Sequence, residues 1–189
     1  QQIGAAPLNA QTAQTLAGFQ TDYLSELRGI FVPAGITIEA ASYEDIAGHD
    51  VLMSPEPGDL GNLLALGTHT AGINVYFVRS ILPAGVQAFG PNPGPAGIAG
   101  SRQSGIAIGV DTLCYRSWGQ VARLTAHEIA RYMGLYHNVE LNTSNHPTWR
   151  DPIDDSTDSS VNLMYFSESG GTDLSPGQDE VLQRSAVLQ

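Results

Sequence analysis

Residues 117–134 impose the tightest constraint on the fold, because they contain both a helix start signal and a helix stop signal. Ser117 and Gln120 match a capping box, in which each side chain binds a backbone amide near the other residue. Apolar residues follow at helical spacing, and Gly134 suits a left-handed C-terminal cap. The sequence therefore predicts a long helix here and determines which of its side chains share a face.

The second half of this helix carries a residue pattern that suits a metal site. In T-A-H-E-I-A-R-Y-M-G-L-Y-H-N, His127 and Glu128 are neighbours, and Gly134 permits a turn that would bring His137 back toward them. Residues four apart on a helix share one face, so a His-Glu-x-x-His helix offers two imidazoles to one metal ion. Position 131 holds arginine instead, and this interrupts the pattern.

The extended pattern resembles the long signature of the metzincin zinc peptidases, His-Glu-x-x-His-x-x-Gly-x-x-His, matched at four positions and broken at the arginine. Met164, in N-L-M-Y-F, lies where that family has its Met-turn. The segments D-P-I-D-D-S and L-S-P-G-Q are similar to segments of the pappalysin-like branch. Residue-level matches are confined to about 125–178.

The resemblance implies a secreted zinc metalloendopeptidase that acts on polypeptides and has an altered metal site. In this hypothesis His127 and His137 bind zinc, and Glu128 is the general base that activates water. The alternative is a catalytically inactive pseudopeptidase, whose cleft binds a peptide or a partner protein. Both hypotheses place the ligand in the same cleft.

Arg131 decides between these hypotheses, since a guanidinium stays protonated and has no lone pair for a metal. If the side chain points into the cleft, it pairs with Glu128, or with Asp151 or Asp154, and closes the metal pocket. If it points outward, a substitute ligand such as His146, Asp151 or Asp154 completes the site. The sequence leaves both alternatives open.

An acidic segment follows the predicted site and also allows two interpretations. Its carboxylates are Asp151, Asp154, Asp155 and Asp158. Clustered carboxylates and carbonyls suit a structural calcium ion, which the pappalysin resemblance also implies. The simpler interpretation, which we favour from the sequence, is a solvated acidic loop.

The rest of the chain predicts an α+β fold with the metzincin arrangement. We expect one domain over residues 1–189: an N-terminal lobe, 1–137, with a twisted mixed sheet and two long helices, and a small irregular C-terminal lobe, 138–189. Helical spacing predicts a first helix over 9–28, and Pro176 favours a last helix reaching Leu188. Strands are predicted at 36–38, 73–78 and 105–110, and a Gly- and Pro-rich surface loop at 83–105.

The strand at 105–110 alternates large apolar side chains with very small ones. Small residues let another backbone approach closely. We therefore expect Gly105, Ile106, Ala107 and Ile108 to form a free sheet edge, to which an extended peptide substrate adds as a strand.

Composition excludes several classes of protein. The net charge is −11, with 8 Lys+Arg against 19 Asp+Glu, so a basic nucleic-acid interface is excluded. No apolar run reaches the roughly 18 residues of a membrane span, and the start at Gln1 without a targeting segment fits either a processed secreted protein or a cloned fragment. The single cysteine, Cys114, excludes an intrachain disulfide, and we expect it to be buried. His49 and His69 are given no metal role, and neither Ser104 nor Cys114 lies in a nucleophile-elbow sequence.

Overall fold

Helices and two small sheets make up an α+β fold, which confirms the predicted class. The computed structural model describes residues 8–39, 42–68, 72–91, 100–141, 147–167 and 170–188. Its helices are α1 (Ala10–Ala13), a π-helix (Gly18–Tyr23), α2 (Leu24–Phe31), α3 (Leu60–Leu64), α4 (Trp118–Tyr132) and α5 (Pro176–Gln183), with 3₁₀ turns at Asp50–Met53 and Val110–Cys114. Its strands are β1 (Val75–Val78), β2 (Ala88–Phe89), β3 (Ile106–Gly109), β4 (Val139–Leu141) and β5 (Pro147–Arg150).

The predicted first helix is interrupted, although its apolar stripe is confirmed. Phe19, Tyr23 and Leu27 are buried as the spacing predicts. The backbone forms a π-helix at Gly18–Tyr23, where Gly18 lies against the Trp118 ring; a Cβ at Gly18 would lie 2.4 Å from Trp118 Cδ1. Helical spacing predicted the buried face, whereas the irregular turn coincides with a contact from a distant residue.

The core lies where α2 packs on α4, and α4 packs on the sheet. Four aromatic rings, of Phe19, Tyr23, Phe77 and Trp118, meet there with centroids 4.8 to 6.0 Å apart. The Tyr23 hydroxyl lies 3.2 Å from Thr125 Oγ1 on α4, and burial raises the pKa of Tyr23. These contacts hold the middle of α4, and with it the candidate site, in a fixed position.

The central position of β3 corrects the predicted role of residues 105–108. β3 pairs with β1 in parallel and with β2 antiparallel, so the sheet order is β1-β3-β2. Gly105, Ile106, Ala107 and Ile108 are all buried. The expectation that they form a free edge for substrate is wrong, because β2 pairs with Ala107 and Ile108 from within the predicted loop.

Glycine is required at Gly105, but not to admit a substrate. Its φ is +127°, and a Cβ there would lie 2.5 Å from the Asn74 carbonyl oxygen. The close backbone approach predicted from the small size of Gly105 is therefore made by the protein's own Asn74, just before β1.

Several other boundaries differ from the predictions. Residues 36–38 belong to no strand, with Ile36 buried and Thr37 exposed. The last helix ends at Gln183 rather than at Leu188. The hairpin β4–β5 lies where an irregular segment was expected, and Cys114 is exposed rather than buried. Strands 73–78 and 105–110 are confirmed in shortened form as β1 and β3.

The signals at both ends of α4 are confirmed. Ser117 Oγ accepts from the Gln120 amide, and the Gln120 side chain accepts from the Ser117 amide. Gly134 has φ +115°, a left-handed value that ends the helix. None of the helices in the described residues is long and apolar enough to cross a membrane.

Candidate metal centre

His127 and His137 meet at the end of α4. His127 lies within the helix, the chain reverses at Gly134, and His137 returns to face it. Their Nε2 atoms are 3.1 Å apart, and the ring centroids are 5.1 Å apart. The structure thus brings together the two residues predicted to share a metal ion.

Hydrogen bonds at the other ring nitrogens determine the tautomer of each imidazole. His127 Nδ1 is 2.8 Å from the Leu163 carbonyl oxygen, and His137 Nδ1 is 2.5 Å from Glu140 Oε1. A carbonyl and a carboxylate accept hydrogen bonds, so in each case Nδ1 is the donor. In the neutral rings, therefore, both Nε2 atoms present a lone pair to the other ring.

Both imidazoles are held neutral. Burial lowers the pKa of His127 to about 3, and it lowers the pKa of His137 as well. The charges of Arg123 and Arg131 lower both pKa values further. Two lone pairs that face each other at this distance repel unless a cation lies between them.

The distance between the two nitrogens fits a divalent cation. Two Zn–N bonds of about 2.05 Å at a tetrahedral angle place their nitrogens about 3.3 Å apart, close to the observed 3.1 Å. Ligating histidines also characteristically donate their second ring nitrogen to a carbonyl or a carboxylate, as His127 and His137 do. The donor pair therefore fits zinc, although it provides two ligands rather than three.

Glu128 lies beside the histidine pair as a buried carboxyl group. Burial raises its pKa to about 7, against the opposing charge of Arg131. Its Oε2 has no hydrogen-bond partner among the described residues. Gly90, just after β2, lies so close that a Cβ there would be 2.9 Å from Oε2. The end of β2 therefore covers this carboxyl group.

Arg131 forms a loose ion pair with Glu128 on α4. Its Nη1 is 3.9 Å from Glu128 Oε2, and the side chain is 28% exposed. Its Nε is buried and has no hydrogen-bond partner in the described part of the chain. Of the two alternatives for Arg131, this contact corresponds to inward pairing with Glu128, without the close hydrogen bonds of a tight pair.

The predicted substitute ligands do not complete the site within the described residues. No group of three or more His, Cys, Asp or Glu side chains in the described ranges could hold a metal ion. Asp151 Oδ1 accepts instead from the Ser156 hydroxyl and the Ile153 amide. His146 and His69 lie outside the described residues.

The Leu163 carbonyl and Arg123 support His127. Met164 is fully buried, and the carbonyl of the preceding Leu163 accepts from His127. The same carbonyl accepts from Arg123 Nη2 at 3.1 Å, while Arg123 also donates to the Ser167 and Gly171 carbonyls at 3.3 and 3.0 Å. Arg123 therefore holds the acceptor that orients His127.

The acidic segment is more than a solvated loop. Asp155 accepts from the Ser175 hydroxyl and the Gly177 amide at the start of α5, which lowers its pKa. Asp158 pairs with Arg150 through both carboxylate oxygens, whereas Asp154 is exposed. Asp155 and Asp158 therefore have structural partners within the protein.

Two buried oxygens near this segment lack partners among the described residues: Asp151 Oδ2 and Asn138 Oδ1. Asp151 is 9% exposed and Asn138 1% exposed. The Asp151 amide donates to the Asn138 carbonyl, so the two residues are neighbours. Oxygen atoms that only accept, and that are buried without a donor, suit a hard cation such as calcium.

Sequence inspection missed Arg123, Glu140 and Asn138. The available signal for Arg123 was its place one helical turn before His127, on the same face of the predicted helix. Glu140 follows His137 by three residues, and a carboxylate close to a candidate ligand was its signal. Nothing local distinguishes Asn138, since its role depends on residues from the acidic segment.

Two surface grooves, of about 430 and 350 Å³, lie along α2 and are separate from the histidine pair. The first is lined by Glu26, Gly29, Ile30, Pro33, Thr172, Asp173 and Leu174, and the second by Arg28, Val32, Ile36, Thr37, Ile38 and Glu39. The chemistry of the candidate site therefore does not extend to these grooves.

Comparison with known proteins leaves the candidate site to be interpreted from its own geometry. No protein-family model matches the chain, and no curated protein matches it.

Proposed function

We propose that this protein is a metzincin-like zinc metalloendopeptidase with a reduced metal site. The observation that carries the proposal is the pair of Nε2 lone pairs of His127 and His137, which face each other at 3.1 Å. Their Nδ1 atoms are already engaged, so a cation is the natural partner of both nitrogens.

Each residue of the cleft has a defined part in this proposal. His127 and His137 hold the metal, which when bound acts as a Lewis acid toward water and the scissile carbonyl. Glu128 has a pKa of about 7, so near neutral pH it accepts a proton from water and returns it to the leaving amine. Arg123 and Glu140 orient the imidazoles.

The peptide would lie along β2 rather than β3. In the described part of the sheet, β2 is an outer strand and pairs only with β3. It leads into Gly90, which adjoins the Glu128 carboxyl group. A peptide added to the outer side of β2 would therefore run past the proposed general base.

The second candidate function is the pseudopeptidase, and the contacts of Arg131 favour it. Arg131 occupies the position of an expected imidazole, and its Nη1 is 3.9 Å from the carboxylate of Glu128. A positive charge beside the metal position opposes a cation, and a paired Glu128 is a weaker base. In this alternative the same cleft binds a peptide or a protein partner without cleaving it.

A structural calcium ion remains part of the proposal, carried by the unpartnered oxygens of Asp151 and Asn138. Calcium would stabilise the start of the C-terminal region and take no part in catalysis. We also propose that the protein acts outside the cell, where calcium is abundant and polypeptide substrates are exposed.

Zinc stoichiometry tests the proposed function most directly. The protein would be stripped with chelator, dialysed against trace zinc and analysed for metal, beside the variants Arg131→His and Glu128→Ala. About one zinc per chain, with peptide cleavage that Glu128→Ala abolishes, supports the peptidase. Zinc in Arg131→His but not in the wild type supports the pseudopeptidase. No zinc in either the wild type or Arg131→His contradicts both metal-site hypotheses.

A further inference from the structure

Arg131 places a guanidinium with unsatisfied hydrogen-bonding capacity in the cleft. Its nearest carboxylate oxygen, Glu128 Oε2, is 3.9 Å away, whereas charge-assisted N–H···O bonds are about 2.7 to 2.9 Å long. Arg131 Nε and Glu128 Oε2 both lack a hydrogen-bond partner among the described residues. The two groups are therefore close, but neither satisfies the other.

The position of Arg131 makes it part of the site rather than of the outer surface. It lies four residues after His127 and three after Glu128, so the three side chains share one face of α4. Its Nη1 is 3.9 Å from Glu128 Oε2, so the guanidinium lies beside this carboxyl group. The side chain is 28% exposed, so part of it is accessible from solvent.

Three other arginines of the described residues have closer partners than Arg131. Arg123 donates to three carbonyls, Arg150 pairs with Asp158, and Arg184 lies 3.3 Å from Glu180. A net charge of −11 gives the protein no general attraction for anions. Recognition of an anionic group therefore needs a local cationic group, and Arg131 provides one.

We propose that Arg131 binds a carboxylate of the peptide ligand. A guanidinium offers parallel N–H donors in a rigid plane that matches the two oxygens of a carboxylate. In a peptide, that carboxylate is either the free C-terminus or an Asp or Glu side chain. The proposal rests on the proposed function only in taking the ligand to be a peptide bound in this cleft.

Consequently, Arg131, which stands where a metal-binding imidazole was expected, also determines which peptides the protein binds. A cleft that binds only peptide backbone accepts an internal segment of any chain. With Arg131 in the cleft, a carboxylate beside the reacting position replaces Glu128 as the partner of the guanidinium. Glu128 competes for the same cation, so its removal should strengthen the preference for a carboxylate ligand.

The test uses four dansyl-labelled hexapeptides of one neutral sequence and measures their binding by fluorescence anisotropy in EDTA. One peptide has a free C-terminus, one is amidated, one is amidated with a single internal Glu, and one is amidated with Gln at that position. We expect about tenfold tighter binding of the free C-terminus over the amide, or of the Glu over the Gln peptide. Which pair differs identifies the source of the carboxylate.

Variants show whether the preference belongs to Arg131. Arg131→Gln should abolish the preference, Arg131→Lys should retain part of it, and Glu128→Gln should increase it; thermal unfolding checks that each variant is folded. Equal binding of all four peptides, no binding at millimolar peptide, or a preference that survives in Arg131→Gln would overturn the proposal.

Zinc content and cleavage, measured on the same protein and peptides after dialysis against trace zinc without EDTA, separate this inference from the proposed function. A carboxylate preference without zinc or cleavage means that the peptidase proposal fails and the role of Arg131 stands. Zinc binding and equal cleavage of all four peptides mean that the peptidase proposal stands and the proposed role of Arg131 fails.

Discussion

The region around α2 and α4 and the region after residue 138 are stabilised in different ways. The first is an apolar core, in which Phe31, Val121 and Ala126 are fully buried. The second has little regular structure and contributes few residues, such as Leu163 and Met164, to that core. Polar contacts hold it in place instead.

Those polar contacts converge on backbone groups of the irregular region. Arg123 on α4 donates to three of its carbonyls, and Asn162 and Gln178 hydrogen-bond each other across it. A chain without helix or sheet ladders must satisfy its buried backbone groups with side chains. The candidate site lies at the junction, with His127 from the apolar region oriented by the Leu163 carbonyl from the polar one.

The largest expected effect comes from a change in the apolar region. Phe31→Ala removes a fully buried ring from the core and should lower the free energy of unfolding by about 4 kcal/mol. Urea denaturation followed by circular dichroism measures this loss. Val32→Ala, at a neighbouring side chain that is 66% exposed, is the control and should change little. A loss below about 1 kcal/mol for Phe31→Ala would contradict the apolar account.

The next effect concerns the link between the two regions. Arg123→Met removes the donors to Leu163, Ser167 and Gly171 and should cost about 2 to 3 kcal/mol. Hydrogen exchange should rise mainly in residues 160–173, and the ¹⁵N shifts of His127 should show a mixture of tautomers. Arg184→Met, at an exposed arginine, is the matched control. Unchanged His127 shifts would separate Arg123 from the orientation of the site.

A smaller loss is expected for Gln178→Ala. The Gln178 side chain is fully buried, accepts from Asn162 Nδ2 at 2.8 Å and from the Ser175 amide at 3.0 Å, and donates to Asn162 Oδ1. The cost should be about 1 to 2 kcal/mol. In a double-mutant cycle with Asn162→Ala, the combined loss should be smaller than the sum. Strict additivity would show that the two amides do not act as a pair.

The smallest effect is the pH dependence at Asp155. Hydrogen bonds from the Ser175 hydroxyl and the Gly177 amide lower its pKa in the folded protein. A lowered folded pKa gives stability that is present above the unfolded pKa of about 3.9 and is lost as pH falls through the folded value. The melting temperatures of the wild type and Asp155→Asn should therefore differ most at pH 7, and the difference should shrink as the pH falls below about 3.9. Glu180→Gln controls for a general change in charge, and a difference that does not shrink below this pH would refute the mechanism.

Much of the fold could be predicted wherever the signal was local. The capping box at Ser117, the stop at Gly134 and the buried stripe of the first helix all depend on residues within a few positions of each other. The strand at 105–110 was predicted from its alternation, but its place in the sheet was not. Only two residues of β2 pair with it, and so short a strand carries no recognisable pattern.

The features of the candidate site also divide into those that local sequence predicted and those that only the tertiary structure decided. The spacing of His127, Glu128, Gly134 and His137 along one chain predicted that the two imidazoles would meet, since helix geometry and one turn determine their approach. The tertiary structure alone decided which ring nitrogens face each other, how Gly90 covers Glu128, and how loosely Arg131 pairs with it. The first two features depend on contacts between residues tens of positions apart, and the third depends on the exact side-chain geometry of neighbours on α4.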